Sequence, residues 1–238
     1  MFLPDLHVPY HDEKVFECWL RFVKKFKPDV VFLMGDWVDC YQLSKFDKKP
    51  SRIIELQDDF DATVSHIRRV RACAPKAKFY YIKGNHEQRL TRFLWSSAAA
   101  LASLRSLTIP EQLHLREYNI EYVESGKMLF HGMIVKHGNI VRSKAGYSAT
   151  GELEKNWRSG VSGHVHRLAQ VFRSNEGGYY TWVELGCGCL LTAEYLEGQV
   201  ADWQHGLGFG YFKKGDENFT IHIAPIIKGR LIFNGEFV

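Results

Sequence analysis

The 238-residue sequence lacks the features that mark several special classes of protein. No apolar run approaches the roughly 18 residues that signal a membrane span, so no transmembrane helix and no membrane partner are expected. The opening residues, MFLPDLH, reach an acid at Asp5 without a signal peptide's charged start and apolar stretch. No internal repeat, low-complexity block or Pro/Gly/Ser linker divides the chain. Cysteine is scarce and odd in number, at 5, which fits reduced thiols better than a disulfide framework and predicts a cytoplasmic location. Charge of one sign is also lacking: 31 basic residues against 27 acidic ones leave a formal +4, which excludes a polybasic binding mode. What remains is ordinary globular composition, 45% hydrophobic and 24% charged. At about 150 residues per domain, a single domain over 1–238 is expected. Histidine alone is abundant: there are 11, several of them in short clusters with Gly, Asp or Asn.

Apolar periodicity predicts a helix over residues 12–27, with Asp12 as N-cap and Pro28 as stop, and a second over about 52–73. The apolar run 30–34 and residues 78–82 read as strands, the second ending at Gly84. Residues 88–115 read as helical again. Beyond Tyr118 the pattern changes, and 120–138, 161–172, 179–191 and 219–233 read as further, mostly antiparallel strands. The Gly-rich stretch 205–211 reads as a flexible loop near a cleft. Together these predict an α/β fold, a two-layer β-sheet sandwich of mixed strands flanked by helices. A helical excursion is expected at about 88–118, and residues 167–238 are expected to close the sheets.

Five short segments carry chemistry: Asp5-Leu6-His7, Gly35-Asp36-Trp37-Val38-Asp39, Gly84-Asn85-His86-Glu87, Lys136-His137-Gly138-Asn139 and Gly163-His164-Val165-His166. Each alone has a plainer reading, as a turn or a surface pair of imidazoles. The first three follow strand candidates, and ligands of open α/β sheets gather at the carboxyl ends of strands. His164 and His166, at i and i+2, share one face of an extended segment. The combined oxygen and imidazole donors are too many for one ion. They suit manganese, iron or zinc better than calcium, shared between two ions.

In this order the segments resemble the signature of the metallophosphoesterase (calcineurin-like phosphoesterase) superfamily: D-x-H, G-D-x-x-D, G-N-H-[DE], a later H, and G-H-x-H. The resemblance spans residues 5–166 and implies the four-layer αββα fold. It implies a hydrolase that cleaves phosphate esters by in-line attack of a metal-bridging hydroxide. Two divalent transition-metal ions are implied as cofactors, manganese first, with iron, zinc or nickel as alternatives. By the same resemblance Asp5, His7 and His166 hold the first ion, Asp36 bridges, and Asn85, His137 and His164 complete the second site. His86 is the implied general acid and Asp39 its orienting carboxylate.

Two departures from the family pattern matter. Only residues 1–4 precede Asp5, so either a stunted first strand or a late start is expected. Cys40 and Lys83 stand where serine/threonine phosphatases of the superfamily carry Arg, so a bidentate clamp for a phosphomonoester is missing at both places. The favoured substrate is therefore a phosphodiester in a nucleotide or nucleic acid. The alternative is a phosphomonoesterase acting on protein or small molecules, and a metal-free scaffold of the same fold is the remote one. Arg89, Arg92 and Lys83 are the candidate substrate contacts. The pair Cys187-Gly-Cys189 reads as a tight turn rather than a metal pair.

Overall fold

The computed structural model describes residues 1–45, 47, 55–192, 201–216 and 218–238. Its first half alternates strand and helix. Strand β1 (Phe2–Leu3), helix α1 (Glu13–Phe26), β2 (Val30–Leu33), α2 (Leu56–Cys73), β3 (Lys78–Ile82), α3 (Glu87–Ser97), the short α4 (Ile109–Gln112) and β4 (Ile120–Val123) follow in order. The second half adds β5 (Lys127–Phe130), β6 (Met133–Lys136), α5 (Tyr147–Asn156), β7 (Gly160–Ser162), β8 (Leu168–Asn175) and β9 (Gly178–Leu185). It ends with β10 (Gly206–Phe212), β11 (Phe219–Pro225) and the hairpin β12 (Ile232–Phe233) and β13 (Glu236–Phe237).

A six-stranded sheet runs β11-β10-β1-β2-β3-β4, and a five-stranded sheet runs β5-β6-β7-β9-β8. In the first, β1 to β4 are mutually parallel, because each helical crossover returns the chain to the same end of the sheet. The period-2 alternation of these strands makes both faces apolar. Val31, Leu33, Phe79 and Tyr81 pack toward the helices, whereas Phe32, Met34, Tyr80 and Ile82 meet Met133, Val135, Val161 and Val183 of the second sheet. Helix α5 covers the outer face of that sheet through Ala149 and Leu153 against Ile134 and Trp182. The layers are thus helix, sheet, sheet, helix, as the expected sandwich of mixed strands requires.

Local chemistry explains the boundaries. Asp12 caps α1, its carboxylate accepting from the backbone N–H of Lys14 and Val15 at 2.9 and 3.1 Å. The left-handed Lys27 and then Pro28 end it. Strand β1 is two residues long, matching the stunted strand expected, yet it pairs with β2 on one side and β10 on the other. The predicted start of the second helix, at 52, lies outside the described residues.

Two expectations are corrected. The helical reading of 88–115 holds as α3 to Ser97 and again in the short α4. Short turns lie between them, because Ser96 bonds back to the Phe93 carbonyl and the run beyond it has no continuous apolar face. The strands beyond Tyr118 pair mostly antiparallel, as expected, in β5–β6, β8–β9, β10–β11 and β12–β13, while β4 runs parallel to β3 and β7 to both β6 and β9. The Gly-rich stretch 205–211 is no loop; most of it is strand β10, fully paired with β11. Its glycines alternate with Leu207, Phe209 and Tyr211 because the glycine face meets the second sheet closely. A Cβ on Gly208 would lie 2.4 Å from Leu185 Cδ2. No reading of the sequence foresaw α5, whose polar residues and internal Gly151 mask its short apolar face.

Candidate metal centre

The loops after β1, β2, β3, β6 and β7 open on the same rim, and they carry the five segments. Asp5, His7, Asp36, His137 and His166 are all buried there. The backbone is held in unusual shapes: Asp5, His7, Asp36, His164 and His166 all have positive φ, from 35° to 73°. For residues other than glycine this costs on the order of 1–3 kcal/mol each, and it persists only where neighbours over-determine it. Asp5 is pinned by the His164 N–H, which donates to both carboxylate oxygens at 2.9 and 3.0 Å. The glycines of the motifs have a steric cause. A Cβ on Gly84 would fall 2.2 Å from Asp36 Oδ1, and one on Gly163 would fall 2.2 Å from Asp5 Oδ2.

The ligating atoms form four overlapping groups: Asp5 with His7 and His166, His7 with Asp36 and His86, Asp36 with His137 and His164, and His166 with Cys187 and Cys189. Asp36 is common to two of them. Its Oδ2 lies 3.9 Å from His7 Nε2 and 3.2 Å from His137 Nε2. On one side, His7 Nε2 and His166 Nε2 face each other at 3.1 Å, with Asp5 Oδ1 3.5 Å from the latter. On the other, His137 Nε2 lies 3.0 Å from Asn85 Oδ1 and 3.2 Å from His164 Nδ1.

The tautomers show that these residues fit a cation. His7 Nδ1–H donates to Asp39 Oδ2 at 3.0 Å, and His137 Nδ1–H donates to the Met34 carbonyl at 2.9 Å. In its neutral form each ring then presents an unprotonated Nε2 to the carboxylate and imidazole groups around it, a donor set that a shared cation fits. Titration tells the same story. Burial drives His166 down to about 3 and His164 to about 4, so both stay neutral. Burial opposes a proton on His137 too, but Asp36 prevails and pushes it up to about 10. Burial raises Asp5 to about 6.

His86 lies at the edge of this group. Its Nδ1 contacts the Asp39 carbonyl at 2.9 Å and Asp39 Oδ2 at 3.2 Å, and its Nε2 faces Asp36 Oδ2 at 3.8 Å. Burial lowers its pKa, yet Asp36 and Asp39 outweigh that and the net shift is upward. Asp39 therefore serves two rings, His7 and His86.

The proposed substrate contacts fare differently. Arg89 spends its guanidinium on the Asp39 carbonyl at 2.8 Å and on His86 Nε2 at 3.0 Å, so it braces the histidine. Lys83 is held by Glu124. Only Arg92, exposed on α3, is directed to solvent. Cys40 is buried, and burial pushes its thiol well up, so it carries no charge to an anion.

Sequence reasoning missed two supporting residues. Glu87 is fully buried, and its carboxylate accepts from the N–H groups of Gly84, Asp36 and Trp37 at 2.8, 3.0 and 3.0 Å, and from Tyr81 Oη at 2.6 Å. It ties the β2 and β3 loops into one unit. The motif letter was visible; its partners were not. Cys189 Sγ lies 3.7 Å from His166 Nδ1 and fixes that ring's orientation. Trp203 packs edge-on against His166, with centroids 4.5 Å apart, whereas Phe209 belongs to the core under α1.

Among the described residues no helix is long and apolar enough to cross a membrane. Comparison with known proteins adds the following. The profile of the calcineurin-like phosphoesterase family matches residues 1–182. The chain is 25% identical to the Gene 54 protein of Mycobacterium phage D29, over 98% of this chain and 95% of that protein. It is 24% identical to the Gene 54 protein of Mycobacterium phage L5 over the same shares. Among solved structures, Vps29 from Entamoeba histolytica, complexed with zinc, aligns with a TM-score of 0.47 at 12% identity, covering 100% of this chain and 96% of that one. Vacuolar protein sorting 29 from Cryptosporidium parvum aligns with a TM-score of 0.44 at 11% identity, covering 100% and 92%.

Proposed function

Since the chain belongs to the calcineurin-like phosphoesterase family, in which divalent-metal binding serves phosphoester hydrolysis, we propose that it is a dinuclear metal-dependent phosphodiesterase acting on a nucleotide or nucleic acid. The observation that carries the reading is the convergence of imidazole nitrogens on the Asp36 carboxylate from both sides. Asp5, His7 and His166 would hold one ion and Asn85, His137 and His164 the other, with Asp36 shared between them. The mixed oxygen and nitrogen donors favour manganese.

When bound, the two ions supply Lewis acidity toward a phosphoryl group and make water a nucleophile near neutral pH. The chain's own residues supply the rest. His86, with its proton favoured by Asp36 and Asp39, gives a proton to the departing alkoxide from Nε2 once the Arg89 Nη2–H that points at that nitrogen turns away, Nη1 staying on the Asp39 carbonyl. Asp39 fixes the ring through Nδ1, and Arg89 braces both. Glu87 and Cys189 hold the ligand loops and the His166 ring in place before substrate arrives.

The diester preference rests on charge. A monoester dianion carries one more negative charge than a diester and is gripped by free guanidinium groups. Here Arg89 is committed to Asp39 and His86, Lys83 to Glu124, and position 40 is a neutral thiol. With manganese present, bis(p-nitrophenyl) phosphate is expected to exceed p-nitrophenyl phosphate in kcat/KM by about tenfold or more. A preference for the monoester reverses the substrate assignment, and no turnover of either by the metal-loaded chain leaves a scaffold. His86→Ala is expected to lower kcat by about 10²- to 10⁴-fold while the metal content, measured by elemental analysis, stays that of the parent. Loss of metal in that variant would make His86 a ligand instead.

A further inference from the structure

Away from the phosphoesterase centre, a second group of donors sits where the loop between β1 and α1 meets α2. His11 Nε2 lies 3.0 Å from Glu13 Oε2 and 3.0 Å from His66 Nε2, and His66 Nε2 is 3.7 Å from Glu13 Oε2. These edges bracket the ~3.3 Å expected between ligands of a tetrahedral zinc ion with bonds of about 2.0–2.1 Å. Nothing in the proposed hydrolysis uses these residues.

The hydrogen bonds around the trio aim its lone pairs inward. His66 Nδ1–H donates to the Ala62 carbonyl at 2.7 Å, which leaves Nε2 unprotonated in the neutral ring. Arg69 holds Glu13 Oε1 with both Nη atoms at 3.0 Å, and it also contacts Glu17. Oε2 is thereby left turned toward the two imidazoles. His11 Nδ1 is buried without a hydrogen-bond partner, and its ring is placed by Nε2 and by packing against Phe16 and His66. A single proton on His11 Nε2 cannot lie along straight lines to both His66 Nε2 and Glu13 Oε2. A cation shared by all three satisfies the contacts among these three atoms at once. Behind the rings, Phe16 stacks edge-on against His66 at 4.6 Å and shields the group from water on that side.

We propose that His11, Glu13 and His66 form a separate divalent-metal site, which takes a zinc-class ion through two imidazoles and one carboxylate and leaves its outer position open to water. Two imidazoles with one carboxylate suit zinc, cobalt or nickel better than calcium or magnesium. The half-exposed Glu13 gives the ion an entry path. The ion's role is structural. It joins the first turn of α1 to α2 and anchors the loop that also carries Asp5 and His7. That loop is already tied to the turn after β9, through the His11–Cys189 bridge and the Asp12 N–H donating to the Gly188 carbonyl at 2.9 Å.

The test is zinc stoichiometry of the full chain after equilibrium dialysis, compared with His11→Ala and His66→Gln. Both variants are expected to bind one equivalent less than the parent. An unchanged stoichiometry in His11→Ala overturns the site, because it means that the trio is an ordinary ion-pair network. Thermal melting supplies a second readout that does not depend on hydrolysis. In chelator His11→Ala is expected to melt below the parent, since the largely buried ring packs edge-on against Phe16 and His66, and the readout is the rise each chain shows above its own metal-free midpoint. On adding zinc, the midpoint is expected to rise further in the parent than in His11→Ala. Equal rises overturn the proposal. Either result stands whether or not the dinuclear centre is catalytic, because neither measurement reads turnover.

Discussion

Replacing Asp36 with asparagine is expected to remove at least about 10³-fold of the activity toward bis(p-nitrophenyl) phosphate and to lower the bound manganese below two ions per chain. The magnitude follows from geometry and charge. Asp36 Oδ2 is the atom that faces both histidine groups, 3.9 Å from His7 Nε2 and 3.2 Å from His137 Nε2. It is almost fully buried. Burial pulls its pKa upward, yet the neighbouring histidines hold it well below the usual carboxylate range, so it is a full negative charge in a low-dielectric site. Asparagine keeps the shape and can keep the contact that Oδ1 makes with the His86 N–H at 2.9 Å. It loses the charge that two divalent ions would share, and its amide hydrogens point at nitrogens that should be ligating. The same hydrogens can pair with His137 Nε2, so the metal-free chain is expected to stay folded, with a far-ultraviolet spectrum like the parent's. Full activity in Asp36→Asn would remove Asp36 from the bridging position.

The contrast between Asp36 and Glu87 shows what could be read from the sequence. The first three motif segments were legible at one rim because each follows a strand candidate; the other two, and the ligand set, were legible through the resemblance of the ordered motifs to the metallophosphoesterase signature. The sandwich was legible locally: β2 and β3 are unbroken apolar runs between breakers. Legibility failed where a role depends on contacts between segments far apart in the chain. Arg89 follows His86 by three residues and reads as an anion ligand, but its guanidinium reaches the Asp39 carbonyl from a loop fifty positions away in sequence. Lys83 meets Glu124 only because β4 pairs beside β3. Strand β10 was misread because its glycines, normally breakers, are demanded by a neighbour, Leu185, that no local pattern reveals. In the same way, Cys189 reads as a turn residue until the fold sets it beside His166.

Glu87→Ala is expected to be the most destabilising single change at the site, although Glu87 touches no proposed ligand ion. Its two carboxylate oxygens accept four hydrogen bonds inside the protein: from the N–H groups of Gly84, Asp36 and Trp37 and from the Tyr81 hydroxyl. Alanine would leave all four donors buried and unpaired. Each such group costs about 1–3 kcal/mol, less what an entering water recovers, so a net loss of about 4 kcal/mol is expected. In a chain of this size that lowers the melting midpoint by roughly 8–16 °C. Glutamine tests the charge separately. One of its terminal atoms still accepts two of the bonds, and the Tyr81 hydroxyl can turn to accept from the amide, which leaves one N–H facing a donor. Glu87→Gln is therefore expected to lose about half as much stability as Glu87→Ala. Both changes release the turn that aims Asn85 and His86, so manganese affinity should fall by about 10- to 100-fold, as for other residues that orient metal ligands. Calorimetric melting in chelator separates the two effects, because it reads the lost hydrogen bonds without the metal. A Glu87→Ala chain that melts with the parent in chelator would show that the four donors are satisfied by other groups, and that the carboxylate is not what holds the β2 and β3 loops together.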